Sequence, residues 1–175
     1  MAKVAYFDAS ALVKRYSEER GTQLVNEVFR LLPNSARSCS VITLAEVTAV
    51  LVRKRNDGRI PRSLYKAALL EFNREFIDDE DVFISSVDDD LVLESIPLIE
   101  IHHINMTDAL LLYSALVLRN PAEGDGKDLL FLTSDKRLLR ALGAENIPAF
   151  DPETDTADDL FRMLELPRHG SDDKQ

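Results

Sequence analysis

The stretch Lys3-Val4-Ala5-Tyr6-Phe7-Asp8-Ala9-Ser10-Ala11-Leu12-Val13 decides the fold. Val4 to Phe7 form a short apolar run, the pattern of a strand buried on both faces. A single carboxylate ends it, followed by a small residue, a hydroxyl and apolar residues at helical spacing. A carboxylate at the carboxyl end of a parallel strand stands where open α/β sheets bind their ligands. The same Asp8 and Ser10 are also good helix caps, so this stretch alone leaves both roles open.

The rest of the chain repeats the strand-then-helix alternation. Strands are expected at 36–41, 82–86, 129–132 and 147–150. Helices are expected at 9–17, 21–32, 43–56, 61–77, 88–102, 107–118, 135–142 and 157–164, from apolar residues at helical spacing and from Gly, Pro and Asn stops. Pro97 should kink or divide the helix over 88–102. The segment Thr107 to Leu118 is apolar nearly all round and should be a buried helix. This alternation predicts an α/β fold, a helix-rich three-layer sandwich around a small, mostly parallel sheet. One domain is expected over residues 1–150. An acidic C-terminal tail, part helical and partly disordered, should follow over 151–175, fraying from about Pro167. Pro121 to Lys127 reads as a polar loop.

Composition narrows the function classes. A single cysteine, Cys39, excludes an internal disulfide framework and a cysteine-based zinc site, and fits a reducing cytoplasm. Asp8 interrupts the N-terminal apolar run and no cleavage pattern follows, so no secretory signal is expected. No apolar stretch approaches the roughly 20 residues of a membrane span. The net charge of −10 is unevenly spread: residues 1–74 carry 13 Lys/Arg against 7 Asp/Glu, and residues 75–175 carry 8 against 24. The basic part can meet a polyanion or merely solubilise a surface. Its candidate phosphate contacts are Lys14, Arg15, Arg53, Arg55 and Arg59. His102 and His103 should divide between core and surface.

Four carboxylates recur at helix starts beside apolar segments: Asp8, Glu46, Asp108 and Asp135. Each has a local explanation. Thr43-x-x-Glu46 matches a capping box, and Asp108 and Asp135 can cap helices. Gathered in one cleft, they would repel one another unless a cation lay between them. The fitting cations are Mg²⁺ or Mn²⁺, since the donors are hard oxygens with no His or Cys beside them. Such a cluster serves phosphate chemistry without a nucleophilic side chain. Ser10 and Thr133 can orient water or phosphate, or cap locally.

Four segments in this order, Tyr6-Phe7-Asp8-Ala9-Ser10-Ala11-Leu12, Leu44-Ala45-Glu46-Val47, Thr107-Asp108-Ala109-Leu110-Leu111 and Leu132-Thr133-Ser134-Asp135-Lys136-Arg137-Leu138, resemble the PIN domain, and within it the VapC-type toxin ribonucleases. The resemblance spans about residues 3–150. It implies a metal-dependent RNA endonuclease with Asp8, Glu46, Asp108 and Asp135 around one or two Mg²⁺ or Mn²⁺ ions. Asp8, Asp108 and Asp135 would be metal ligands and Glu46 a ligand or general base. Ser10 and Thr133 would be hydroxyls next to the metal ligands. A homodimer and an inhibiting antitoxin are implied as partners. The chain departs from the pattern at Asn105 and Met106, where an arginine often precedes the third acid, in the long acidic segment 75–106, and in the tail after Asp151. Two other classes fit an Asp after a strand: a non-catalytic binding module, and an aspartyl-phosphate phosphotransferase or receiver. The latter wants a second nearby acid, and position 10 is Ser.

Overall fold

A computed structural model describes residues 3–119 and 128–166. Five strands form one all-parallel sheet: β1 (Val4–Phe7), β2 (Arg37–Ser40), β3 (Phe83–Ser85), β4 (Leu129–Leu132) and β5 (Ala149–Phe150). The spatial order is β3-β2-β1-β4-β5. The chain builds outward from β1 through β2 to β3, then crosses back to place β4 on the other side of β1. The carboxyl ends of β1 and β4 therefore meet at the topological switch point, where a crevice opens in a parallel sheet. The expected loop at 121–127 and the fraying from Pro167 lie outside the described residues.

Both sheet faces are covered, which is why the strands read as continuous apolar runs rather than alternating ones. Ala5, Phe7, Leu130, Leu132 and Phe150 face one core. That core is closed by α1 (Ala9–Leu12), α2 (Thr22–Leu31), α3 (Val41–Asn56) and α4 (Arg62–Phe72). Tyr6, Leu129 and Phe131 face the other core. It is closed by α5 (Asp89–His102), α6 (Met106–Arg119) and α7 (Lys136–Ala144).

Several boundaries differ from the expectation for local reasons. The first helix is one α turn continued by a 3₁₀ turn, Val13–Arg15. Helix α3 starts at Val41 because Ser40 caps it, its hydroxyl accepting from Ile42 N at 3.3 Å. Glu46 thus lies in the second turn, and the Thr43–Glu46 capping box does not form. Gly58, at φ +72°, ends the return from α3, with Arg59 N donating to Lys54 O. The helix expected over 61–77 ends in a π-helical turn, Asn73–Ile77. Helix α5 runs unbroken through Pro97, which lies on its exposed face. There water can satisfy the carbonyl that loses its partner. His102 is half-buried and bonded to Glu145 at 2.7 Å, while His103 is exposed.

Residues 151–164 fold back onto the first core. Their helix, α8 (Ala157–Met163), opens with a capping box between Thr156 and Asp159 and buries Leu160 completely. Gly21 makes this docking possible. Its φ is +91°, and a Cβ there would stand 2.6 Å from the Pro152 carbonyl oxygen.

Candidate active site

The site begins where β1 ends. Asp8 N donates to Leu132 O at 2.9 Å, stitching the ends of β1 and β4 together. The Asp8 carboxylate is nearly buried. It accepts from Ala9 N at 2.6 Å, from the Ser10 hydroxyl at 2.6 Å and from the Thr133 hydroxyl at 2.8 Å. Ser10 Oγ accepts from Ser134 N at 2.9 Å, and Thr133 Oγ1 accepts from Asp135 N at 3.1 Å. Asp8 is thus both helix cap and site residue, and the two hydroxyls lock the β1 exit to the β4 exit.

Asp135 caps α7, accepting from Arg137 N and Leu138 N through one oxygen. Its second oxygen is not used by the cap. Asp108 lies in the first turn of α6, where Asn105 provides the cap, accepting from Asp108 N at 2.9 Å. Freed from capping, Asp108 leaves Oδ2 buried with no hydrogen-bond partner. A buried, unpartnered carboxylate oxygen is costly and calls for a cation or proton.

All four acids line one open cavity of about 370 Å³, together with Ala9, Ser10, Ala49, Val50, Arg53 and Asn105. Burial, and then the charges of Asp8 and Asp108, push the Glu46 carboxyl up to about 7. Burial, and then Asp135 and Asp8, push Asp108 up to about 6, against a small opposing pull from Arg137. Among the described residues, no group of three or more His, Cys, Asp or Glu side chains is drawn together into a ready-made metal cage. Bare carboxylates that repel one another are expected to spread around a cavity rather than close it. The donor chemistry still fits a hard divalent ion: carboxylates and hydroxyls with one orphaned buried oxygen, and neither thiol nor imidazole.

The basic candidates separate sharply. Lys14 is buried, its ammonium 2.6 Å from Glu153 and 3.3 Å from Glu19. Arg15, in the 3₁₀ turn after α1, is held by Glu75 at 2.8 Å and by Asn26 at 2.9 Å. Both are paired with carboxylates, and neither lines the cavity. Arg55 stacks on Tyr65 at 4.7 Å and bonds Asn56, and Arg59 pairs with Asp57 at 2.8 Å. Of these five, Arg53 alone lines the cavity.

Two buried or cavity-lining polar residues escaped the sequence reading, of which Asn105 lines the cavity. Asn105 caps α6, and the spacing Asn105-x-x-Asp108 was the available signal. Asp151, at the β5 exit, is buried and takes bonds from Lys136, from Glu153 N at 2.9 Å and from the Thr154 hydroxyl at 2.9 Å. Burial alone would raise its carboxyl, but these donors outweigh it and hold it down at about 2. No sequence pattern marked it apart from the other acids of the tail.

A parallel α/β domain with an acid-lined crevice at its switch point is the class that fold and site define. The PIN domain family model matches residues 5–143, and the chain belongs to the PIN domain family. Three solved structures share the fold. PAE2754 from Pyrobaculum aerophilum has a TM-score of 0.61 at 17% identity, covering 95% of this chain and 92% of its own. FitAB bound to the IR36 DNA fragment has a TM-score of 0.60 at 13% identity, covering 87% and 98%. A toxin–antitoxin complex from Klebsiella pneumoniae has a TM-score of 0.51 at 19% identity, covering 85% and 97%. No curated protein matches the chain. Among the described residues no helix is long and apolar enough to cross a membrane.

Proposed function

We propose that this chain is a metal-dependent endoribonuclease, acting as the toxin of a toxin–antitoxin pair in the cytoplasm. The observation that carries the proposal is the convergence of Asp8, Glu46, Asp108 and Asp135 from four separate elements on one cavity. Membership of the PIN family supports nuclease chemistry. Two structural neighbours, described as a toxin–antitoxin complex and as FitAB bound to DNA, support an antitoxin partner. Leu93, Ile96 and Ile101 leave an exposed apolar stripe on α5, which supports a homodimer.

In this reading Asp8, Asp108 and Asp135 hold Mg²⁺ or Mn²⁺. When bound, such an ion polarises the phosphodiester and makes a nearby water more acidic. Ser10 and Thr133 hold the Asp8 carboxylate in one orientation by occupying its second oxygen. Glu46 lines the cavity and makes no side-chain hydrogen bond among the described residues, so its carboxylate is the one placed to accept the proton of the attacking water. Water oxygen bonds to phosphorus, the bond to the leaving ribose oxygen breaks, and that oxygen takes a proton from solvent in the open cavity.

The test is cleavage of RNA with Mn²⁺ or Mg²⁺ by wild type, Asp8→Asn and Asp108→Asn, each checked for native folding. Loss of cleavage in both variants is expected. Undiminished cleavage by a folded variant sinks the assignment. Absence of any Mn²⁺-dependent thermal stabilisation of the wild type would point instead to a non-catalytic module.

A further inference from the structure

We propose that Arg53 is the substrate-side cation of the cleft, engaging a backbone phosphate next to the one that is cut. This rests on the nuclease reading above and adds to it a second phosphate subsite.

Among the described residues lining the cavity, Arg53 is the one cation. It is exposed, and among the described residues its side chain makes neither a hydrogen bond nor an ion pair, unlike those of Lys14, Arg15, Arg55 and Arg59. An unpaired guanidinium at the mouth of an acid-lined cavity is free to take an anionic ligand, and its planar fork suits phosphate oxygens. Glu46, Ala49, Val50 and Arg53 all line the cavity. Their spacing of three, four and seven residues makes them one stripe of α3. The stripe runs from a carboxylate, across a small and an apolar side chain, to a cation. Seven residues span roughly 10 Å along a helix. That exceeds one phosphate-to-phosphate step of a single strand by a few ångströms, which the long Arg53 side chain, tilted back toward the N-terminus of α3, makes up. A strand whose reacting phosphate sits among the acids therefore passes its sugar and base over Ala49 and Val50 and brings the next phosphate to Arg53.

The experiment uses the full chain with Mn²⁺ and a fluorescein-labelled, mixed-sequence single-stranded oligoribonucleotide. Cleavage kinetics and binding anisotropy are measured against NaCl concentration for wild type, Arg53→Ala and Arg53→Lys. Arg53→Ala should raise KM about tenfold or more with kcat little changed, since a contact made equally in ground and transition states acts on binding. It should also lower the slope of log affinity against log salt by about 0.7, the loss of one phosphate contact on a single strand. Arg53→Lys should recover that slope. Neither variant should change the Tm or the Mn²⁺-induced rise in Tm. Unchanged KM and salt slope in Arg53→Ala overturns the proposal. A loss of the Mn²⁺-induced rise also overturns it, because Arg53 would then act on the acid cluster. A wild type that neither binds nor cleaves the probe sinks the nuclease reading itself, a separate result from the variant's.

Discussion

Replacing Glu46 by Gln should stabilise the metal-free protein at pH 8 while weakening its response to a divalent ion. The Glu46 carboxyl is raised from its ordinary 4.5 to about 7, first by burial and then by Asp8 and Asp108. The folded-state value lies above the unfolded one. The group therefore favours folding fully below pH 4.5, and that contribution is lost as pH rises through about 7. Above pH 7 the charged side chain costs at most about 3 kcal/mol. The cavity is open and Glu46 is half-buried, so screening reduces this to about 1–2 kcal/mol. Gln keeps the shape and removes the charge. For a domain of this size the gain corresponds to about 2–8 °C in Tm. Thermal unfolding in chelator, at pH 8 and pH 5, measures it. At pH 5 the folded-state Glu46 is mostly neutral, and only about a quarter of the pH 8 difference should remain. Adding Mn²⁺ at pH 8 should raise the wild-type Tm and raise the variant's less. A variant that is no more stable at pH 8, or that differs equally at both pH values, would refute the idea that the acids are crowded in the folded state.

Other outcomes follow from the same geometry. The Mn²⁺-induced rise in wild-type Tm should shrink between pH 8 and pH 5.5, because protons compete for Glu46 near 7 and Asp108 near 6. Thr133→Val should cost about 1–3 kcal/mol in denaturant unfolding and slow cleavage. It removes a donor to Asp8 and leaves Asp135 N without its acceptor. Gly21→Ala should destabilise by more than about 1 kcal/mol in the same assay, since φ is +91° and the new Cβ meets the Pro152 carbonyl.

The strands and helices were legible in sequence because short apolar runs and helical spacing report burial that neighbouring residues share. Val4–Phe7 and Leu129–Leu132 read as central strands, and the structure pairs them through four residues in register. The acids were legible as a set, since each follows a strand or opens a helix. Their individual local roles were less so. Glu46 matched a capping box, but Ser40 starts α3 three residues earlier and leaves Glu46 to the cavity. Asp108 looked like a cap, but Asn105 takes that role.

By itself, the sequence determined the alternation of buried strands and helices, and hence that carboxylates at strand exits share one sheet edge. Only the tertiary structure decided which charged side chains are spent and which are free. Lys14 finds Glu153 from 139 residues away, and Lys54 finds Glu19 from 35 residues away. Arg53, adjacent to Lys54 in sequence, meets no such partner among the described residues. The physical reason is that a backbone pattern is fixed by neighbours along the chain. A long charged side chain is fixed by whichever opposite charge the folded topology brings within reach, and burial makes that pairing obligatory.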